Sequence, residues 1–121
     1  VAFTHDLMGN YSYTDAYAYS WRSDSFSFPA WYISVDNTMT NLETESLQFA
    51  RITTVGNGSS FGDASSAVEL AIGPVEYELD DTFVTFLSVG DVGERVTGTF
   101  SGLYSDTAVT GTFSVLRVGD N

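Results

Sequence analysis

The motif Val-Thr-Gly-Thr-Phe-Ser occurs twice near the C-terminus, at 96–101 and again at 109–114. In an extended strand, alternate side chains face opposite sides. Val96, Gly98 and Phe100 therefore share one face, as do Val109, Gly111 and Phe113 in the second copy. Thr97, Thr99 and Ser101 take the other face, as do Thr110, Thr112 and Ser114. One apolar face and one hydroxylated face describe an antiparallel sheet with one wet side. The two copies lie close enough to form a hairpin. Asp and Ser favour turns because their side chains bond nearby backbone. A turn at Ser105-Asp106-Thr107-Ala108, centred between Asp106 and Thr107, would set Phe100 opposite Phe113 and Gly102 opposite Gly111. A glycine inside a strand marks a bend, a bulge or a bulky neighbour lying across it. Aromatics from a facing sheet are expected to cover Gly98 and Gly111.

The N-terminal stretch obeys the same period. Val1, Phe3, His5, Leu7, Tyr11, Tyr13, Tyr17, Tyr19 and Trp21 fall on odd positions, while the even ones are mostly small or polar. Period two over this length predicts strands, near 1–8 and near 11–21, with Gly9-Asn10 as the break and Asp15 as a bulge or edge. Phe26 and Phe28 differ in parity from Trp31, Ile33 and Val35. The change falls at Pro29, which cannot donate to a ladder. A polar loop is expected from Asp36 through Glu45, then a strand from Leu47 to Val55. The stretch from Gly56 to Asp63 reads as the longest flexible loop, since Gly and Asn allow positive φ. Strands follow from Ala67 to Ile72 and through Val75, Tyr77 and Leu79, with Asp80-Asp81 as a turn. Residues 82–89 are apolar on both parities, which predicts a central strand covered on both sides. Eight to nine strands at this spacing predict an all-β antiparallel sandwich, Ig-like or jelly-roll-like, in a single domain over 1–121.

Composition narrows the function. The chain has 121 residues and no cysteine, which excludes a disulfide framework and thiol chemistry. Its net charge is −12, and its four basic residues are all arginine. Nucleic acid and anionic membrane surfaces bind clustered Lys and Arg, so neither is an expected partner. No stretch approaches the ~20 apolar residues of a membrane span. The start at Val1 reads as a processed polypeptide. Together these features favour an extracellular or cell-surface protein of prokaryotic origin.

Residues 82–102, ending in Gly-Thr-Phe-Ser-Gly, and 109–117, Val-Thr-Gly-Thr-Phe-Ser-Val-Leu-Arg, carry a resemblance. The C-terminal third resembles the closing strands of secreted or lipid-anchored bacterial β-sandwich domains that mostly lack an assigned function. The resemblance implies an extracellular sandwich and brings no catalytic residue.

Reaction chemistry is sparse. A nucleophilic triad needs a base, and the single histidine, His5, reads as a rim residue of a terminal strand. Glu76 and Glu78 share a strand face and could mimic a glycosidase pair, but that face reads as a solvated stripe. The chain is therefore expected not to be an enzyme, and to need no cofactor. Calcium is the one ion to consider, because loops rich in Asp and Asn supply oxygen ligands. Asp80 with Asp81 is the candidate pair, with Asp36 and Asn37 or Asn57 and Asp63 as alternatives. Asn10 and Asn57 fit the glycan-acceptor pattern.

Two functions remain open. The first is a structural subunit that self-associates on the cell surface, as a filament or pilus-like polymer, with 1–8 as an exchanged strand. Strand donation joins chains by main-chain bonds, and Val1, Phe3 and Leu7 would be the inserted side chains. The second is a carbohydrate-binding module, calcium-dependent or not, in which Tyr11, Tyr13, Tyr17, Tyr19 and Trp21 stack on a polysaccharide.

Overall fold

Alternating burial along nearly every strand builds this molecule from two sheets with apolar inner faces. The computed structural model describes residues 2–13, 17–23, 29–36, 48–73 and 75–120. The strands are β1 (Ala2–His5), β2 (Tyr11–Tyr13), β3 (Tyr17–Ser23), β4 (Ala30–Asp36), β5 (Gln48–Val55) and β6 (Ser60–Phe61). They continue as β7 (Ser66–Ile72), β8 (Val75–Glu78), β9 (Asp80–Val89), β10 (Arg95–Tyr104) and β11 (Thr107–Asp120). Sheet I has six strands in the order β2-β1-β11-β10-β9-β6, and sheet II has five, β3-β4-β5-β7-β8. Among the described residues the only helical element is a 3-10 turn at Asp63–Ser65. The all-β sandwich is thus observed, with more strands than expected. The run 1–21 divides into three, and Ser60–Phe61 adds another by pairing with β9.

Two strands tie the sheets together. β11 pairs antiparallel with β10 from Thr107 to Leu116, then runs parallel to β3 from Leu116 to Asp120, with an irregularity between Arg117 and Gly119. β8 passes almost directly into β9 through Leu79, crossing from sheet II to sheet I. Asp81 has φ +49° there, so Asp80 and Asp81 form a corner between sheets. The inner faces meet over Phe3, Val84, Phe100, Phe113 and Val115 on one side and Ile33, Val35, Ile52, Val68 and Leu70 on the other, all buried. Trp31 of sheet II lies 5.6 Å from Phe86 of sheet I, between ring centroids. Burying each such side chain contributes about 1.5–3 kcal/mol.

The hairpin register differs from expectation by two residues. Ser105 and Asp106, with φ +48° and +63°, form a two-residue turn, and Phe100 stands opposite Gly111 while Gly98 stands opposite Phe113. Paired left-handed residues match the twist of the flanking strands, which favours this tighter loop. A two-residue shift keeps every side chain on its face, so parity alone does not reveal it. The covering aromatics therefore come from the hairpin itself rather than from the facing sheet. A Cβ at Gly111 would collide with the Phe100 ring and the Thr4 carbonyl, and one at Gly98 with the Phe113 ring and the Thr85 carbonyl.

Three further expectations change. β9 is covered on one side only: Thr82, Val84 and Phe86 are buried, whereas Phe83, Leu87 and Val89 are 48 %, 68 % and 46 % exposed. The apolar outer residues do not signal a second covering layer, because sheet II packs on the inner face alone. The stretch 56–63 is not simply a loop, since Phe61 is buried and seats its strand on β9. His5 is not a rim residue, being 3 % exposed.

Candidate functional site

Sheet I turns its hydroxyl parity outward. Register carries one row of these residues across all six strands: Ser12 pairs with Thr4, Thr4 with Thr112, Thr112 with Thr99, Thr99 with Thr85, and Thr85 with Ser60. Neighbouring strands lie about 4.8 Å apart, and same-face residues about 7 Å apart along a strand. A second row pairs Ser114 with Thr97 and Thr97 with Ser88, and a third pairs Thr110 with Ser101 and Ser101 with Phe83.

Between the first and third rows lies an open trough of about 670 Å3. Thr4, Ser12, Thr99 and Thr112 line one side, and Thr110, Ser101 and Phe83 the other, with Asp6, Asn10 and Tyr11 at the β1–β2 end. Part of this lining is held in place. The Thr4 and Thr112 hydroxyls are 2.8 Å apart. Asp6 Oδ1 accepts the Thr110 N–H at 2.6 Å, and Oδ2 accepts the Thr110 hydroxyl at 3.2 Å. Among the described residues, the hydroxyls of Ser12, Thr99 and Ser101 bond to no other group, so they face the trough ready to donate or accept.

His5 underlies this end of the trough. Its ring stacks on Tyr11 with centroids 4.9 Å apart, and Nδ1 accepts the Leu7 N–H at 3.3 Å. Burial lowers its pKa from 6.5 to about 4, against the opposing charge of Asp6. An imidazole kept neutral at ordinary pH, and tied to backbone, supports the loop between β1 and β2.

The expected site residues fall in several places. Phe3 and Leu7 are buried in their own chain, where β1 pairs with β11 on one edge and β2 on the other. Val1 lies outside the described residues. Tyr11 is half-buried at the trough rim. Tyr11 and Tyr13 sit in β2 of sheet I, whereas Tyr17, Tyr19 and Trp21 sit in β3 of sheet II, so the aromatic row is not one continuous ladder. The side chains of Tyr13, Tyr17, Tyr19 and Trp21 lie outside the description; of the polar loop expected from Asp36 through Glu45, Asp36 instead ends strand β4, and Asn37 onward lies outside the described residues. Asp80 and Asp81 are exposed at the sheet corner. The Asp63 carboxylate accepts the Thr82 N–H at 3.1 Å. Among the described residues no group of three or more His, Asp or Glu side chains is arranged to hold a metal ion. Asn10 and Asn57 are both exposed.

Sheet II presents the opposite chemistry. Glu69 stands opposite Glu78 and beside Glu76, and these three line a hollow of about 360 Å3. Burial and then the Glu76 charge raise the pKa of Glu69, while Arg51, its cross-strand partner, lowers it. Sequence reading found Glu76 and Glu78 but not Glu69, which joins them only through the β7–β8 register. It also missed Thr4, Ser12, Thr85 and Phe83, which reach the hairpin's hydroxyl face only through topology.

Comparison with protein-family models, with curated proteins and with solved structures finds no match.

Proposed function

We propose that this chain is a non-catalytic extracellular binding domain, and that the trough on sheet I is its binding site. Its ligand class is carbohydrate. The observation that carries this reading is the unbroken hydroxyl row from Ser12 to Ser60, running beside the half-exposed Phe83 ring. Sugars present alternating hydroxyls and an apolar C–H face. Ser and Thr hydroxyls both donate and accept, so they match either role of a sugar hydroxyl. An aromatic face supplies the apolar partner. Sites of this kind place a few polar groups around such a surface. The resemblance to secreted bacterial sandwiches and the acidic composition fit the extracellular setting.

Affinity electrophoresis through gels containing polysaccharide tests the reading. Retardation of the wild-type chain is expected, with Phe83→Ala weakening binding about tenfold and Glu76→Gln on sheet II leaving it unchanged. A wild-type chain retarded by no polysaccharide would overturn it.

A second reading, self-association at the cell surface, rests on a different observation. Among the described residues, β6 pairs with β9 only at Val84 and Thr85, and Leu87, Val89 and Val92 are exposed near the end of β9. An open, apolar strand edge is a template for pairing with another chain. Sedimentation of the wild type beside Leu87→Lys tests it: a concentration-dependent polymer lost in the variant supports assembly, and a monomer throughout rejects it.

A further inference from the structure

We infer that the trough selects neutral sugar chains and turns acidic ones away, an inference that rests on the carbohydrate reading above. Charge placement carries it. The chain has 16 acidic and four basic residues, and the basic ones are committed elsewhere or lie off the trough. Arg117 sits 5.1 Å above the Trp31 ring and donates to the Gly90 carbonyl at 2.8 Å. Arg51 sits 4.9 Å over Phe49 on sheet II. Arg95 lies on the same face as the hydroxyl rows but donates to Ser114 Oγ at 2.9 Å. No arginine lines the trough, and among the described residues the one acidic side chain that does is Asp6.

Asp6 is exposed, yet both its oxygens are tied to Thr110, so it cannot swing away from an incoming anion without breaking those bonds. A uronate or sulfate ester entering here would meet like charge at close range, within the field of a −12 protein. It would also lack the cationic partner that makes strong hydrogen bonds to anionic oxygens. A neutral sugar hydroxyl meets the reverse situation. It can donate to Asp6 and can exchange hydrogen bonds with Ser12, Thr99 and Ser101, while Phe83 covers its C–H face. Such binding involves no net charge on the ligand, so salt should hardly change it.

Isothermal titration at low and at high salt separates the cases. Laminarin, galactomannan and starch serve as neutral probes, and alginate and polygalacturonate as acidic ones. At least one neutral probe is expected to bind with the same Kd at both salt levels, weakened about tenfold by Phe83→Ala. Neither acidic probe should bind the wild type, whereas Asp6→Asn, which keeps an acceptor for Thr110, should admit them weakly. An acidic probe that binds the wild type more tightly than every neutral one, and is lost in Arg95→Gln or Phe83→Ala, would overturn the selectivity while leaving a carbohydrate site in place. Failure of all five probes would remove both the selectivity and the reading beneath it.

Discussion

Sheet II turns Arg51, Glu69, Glu76 and Glu78 to solvent, while sheet I turns out Thr4, Ser12, Thr99, Ser101, Thr110 and Thr112. Both sheets bury their inner faces by the same rule, yet they fill them differently. Sheet II uses mainly aliphatic side chains, Ile33, Val35, Ile52, Val68 and Leu70, beside Trp31. Sheet I sets Phe100 and Phe113 across glycines of the neighbouring strand. The contrast separates two kinds of information. Inner faces report what folding requires. Outer faces are free to differ, and on this strongly acidic protein the outer face of sheet I is dominated by Ser and Thr, with Asp6 and Arg95 among them.

The largest effect should come from the packing device peculiar to sheet I. Phe100→Ala removes a ring that also stacks on Phe3 at 5.4 Å, and should cost about 3–5 kcal/mol in denaturant unfolding. Gly111→Ala forces a methyl group into that ring and should cost about 1–3 kcal/mol. The double variant should lose less than the sum, because removing the ring relieves that part of the collision and leaves only the Thr4 carbonyl in the way. Strict additivity would mean that the Phe-over-Gly pairing contributes nothing specific.

The next effect distinguishes the sheets by pH. His5 binds protons more readily when unfolded than when folded, because its pKa falls from 6.5 to about 4 on burial. Its contribution is therefore complete above pH 6.5 and is lost as pH falls toward 4, amounting to at most about 3 kcal/mol. Urea midpoints followed through this window should show a slope that flattens in His5→Gln. An unchanged slope would show that His5 is not held neutral in the fold.

Glu69 on sheet II has the opposite sign and the smallest effect. Its raised pKa favours the folded state below the carboxyl's ordinary 4.5 and loses that advantage as pH rises through the folded value. Glu69→Gln should therefore raise stability at neutral pH by less than about 1 kcal/mol, the scale of like charges paired across strands. The gain should vanish in acid and shrink in high salt. A loss of stability on this substitution would show that the Arg51 pairing outweighs the two glutamates.

Parity made the inner faces legible. Ile33, Val35, Ile52, Val68, Leu70, Val96 and Phe113 are buried as period two requires, and the hydroxyl face of the last hairpin was visible in its two Thr-Gly-Thr motifs. Register was harder to read, since a two-residue shift preserves every face and only turn geometry at Ser105-Asp106 distinguishes the alternatives. The site was less legible still. Thr4 and Ser12 of the N-terminal strands, Ser60 and Thr85 come from well-separated parts of the chain, and the spacing within each gives no sign that they form one row. Phe83 misled because an apolar residue on an open face looks like part of a doubly covered strand. His5 misled because its burial depends on Tyr11 folding back over it, which the Asp6–Asn10 loop decides.

Backbone amide shifts followed by NMR during titration with whichever neutral polysaccharide binds give the most direct test of the trough. The account predicts changes concentrated at Thr4, Phe83, Thr99, Ser101 and Thr112, with Glu69, Glu76 and Glu78 unmoved. Changes confined to sheet II, or to the β9 edge at Leu87 and Val89, would contradict it.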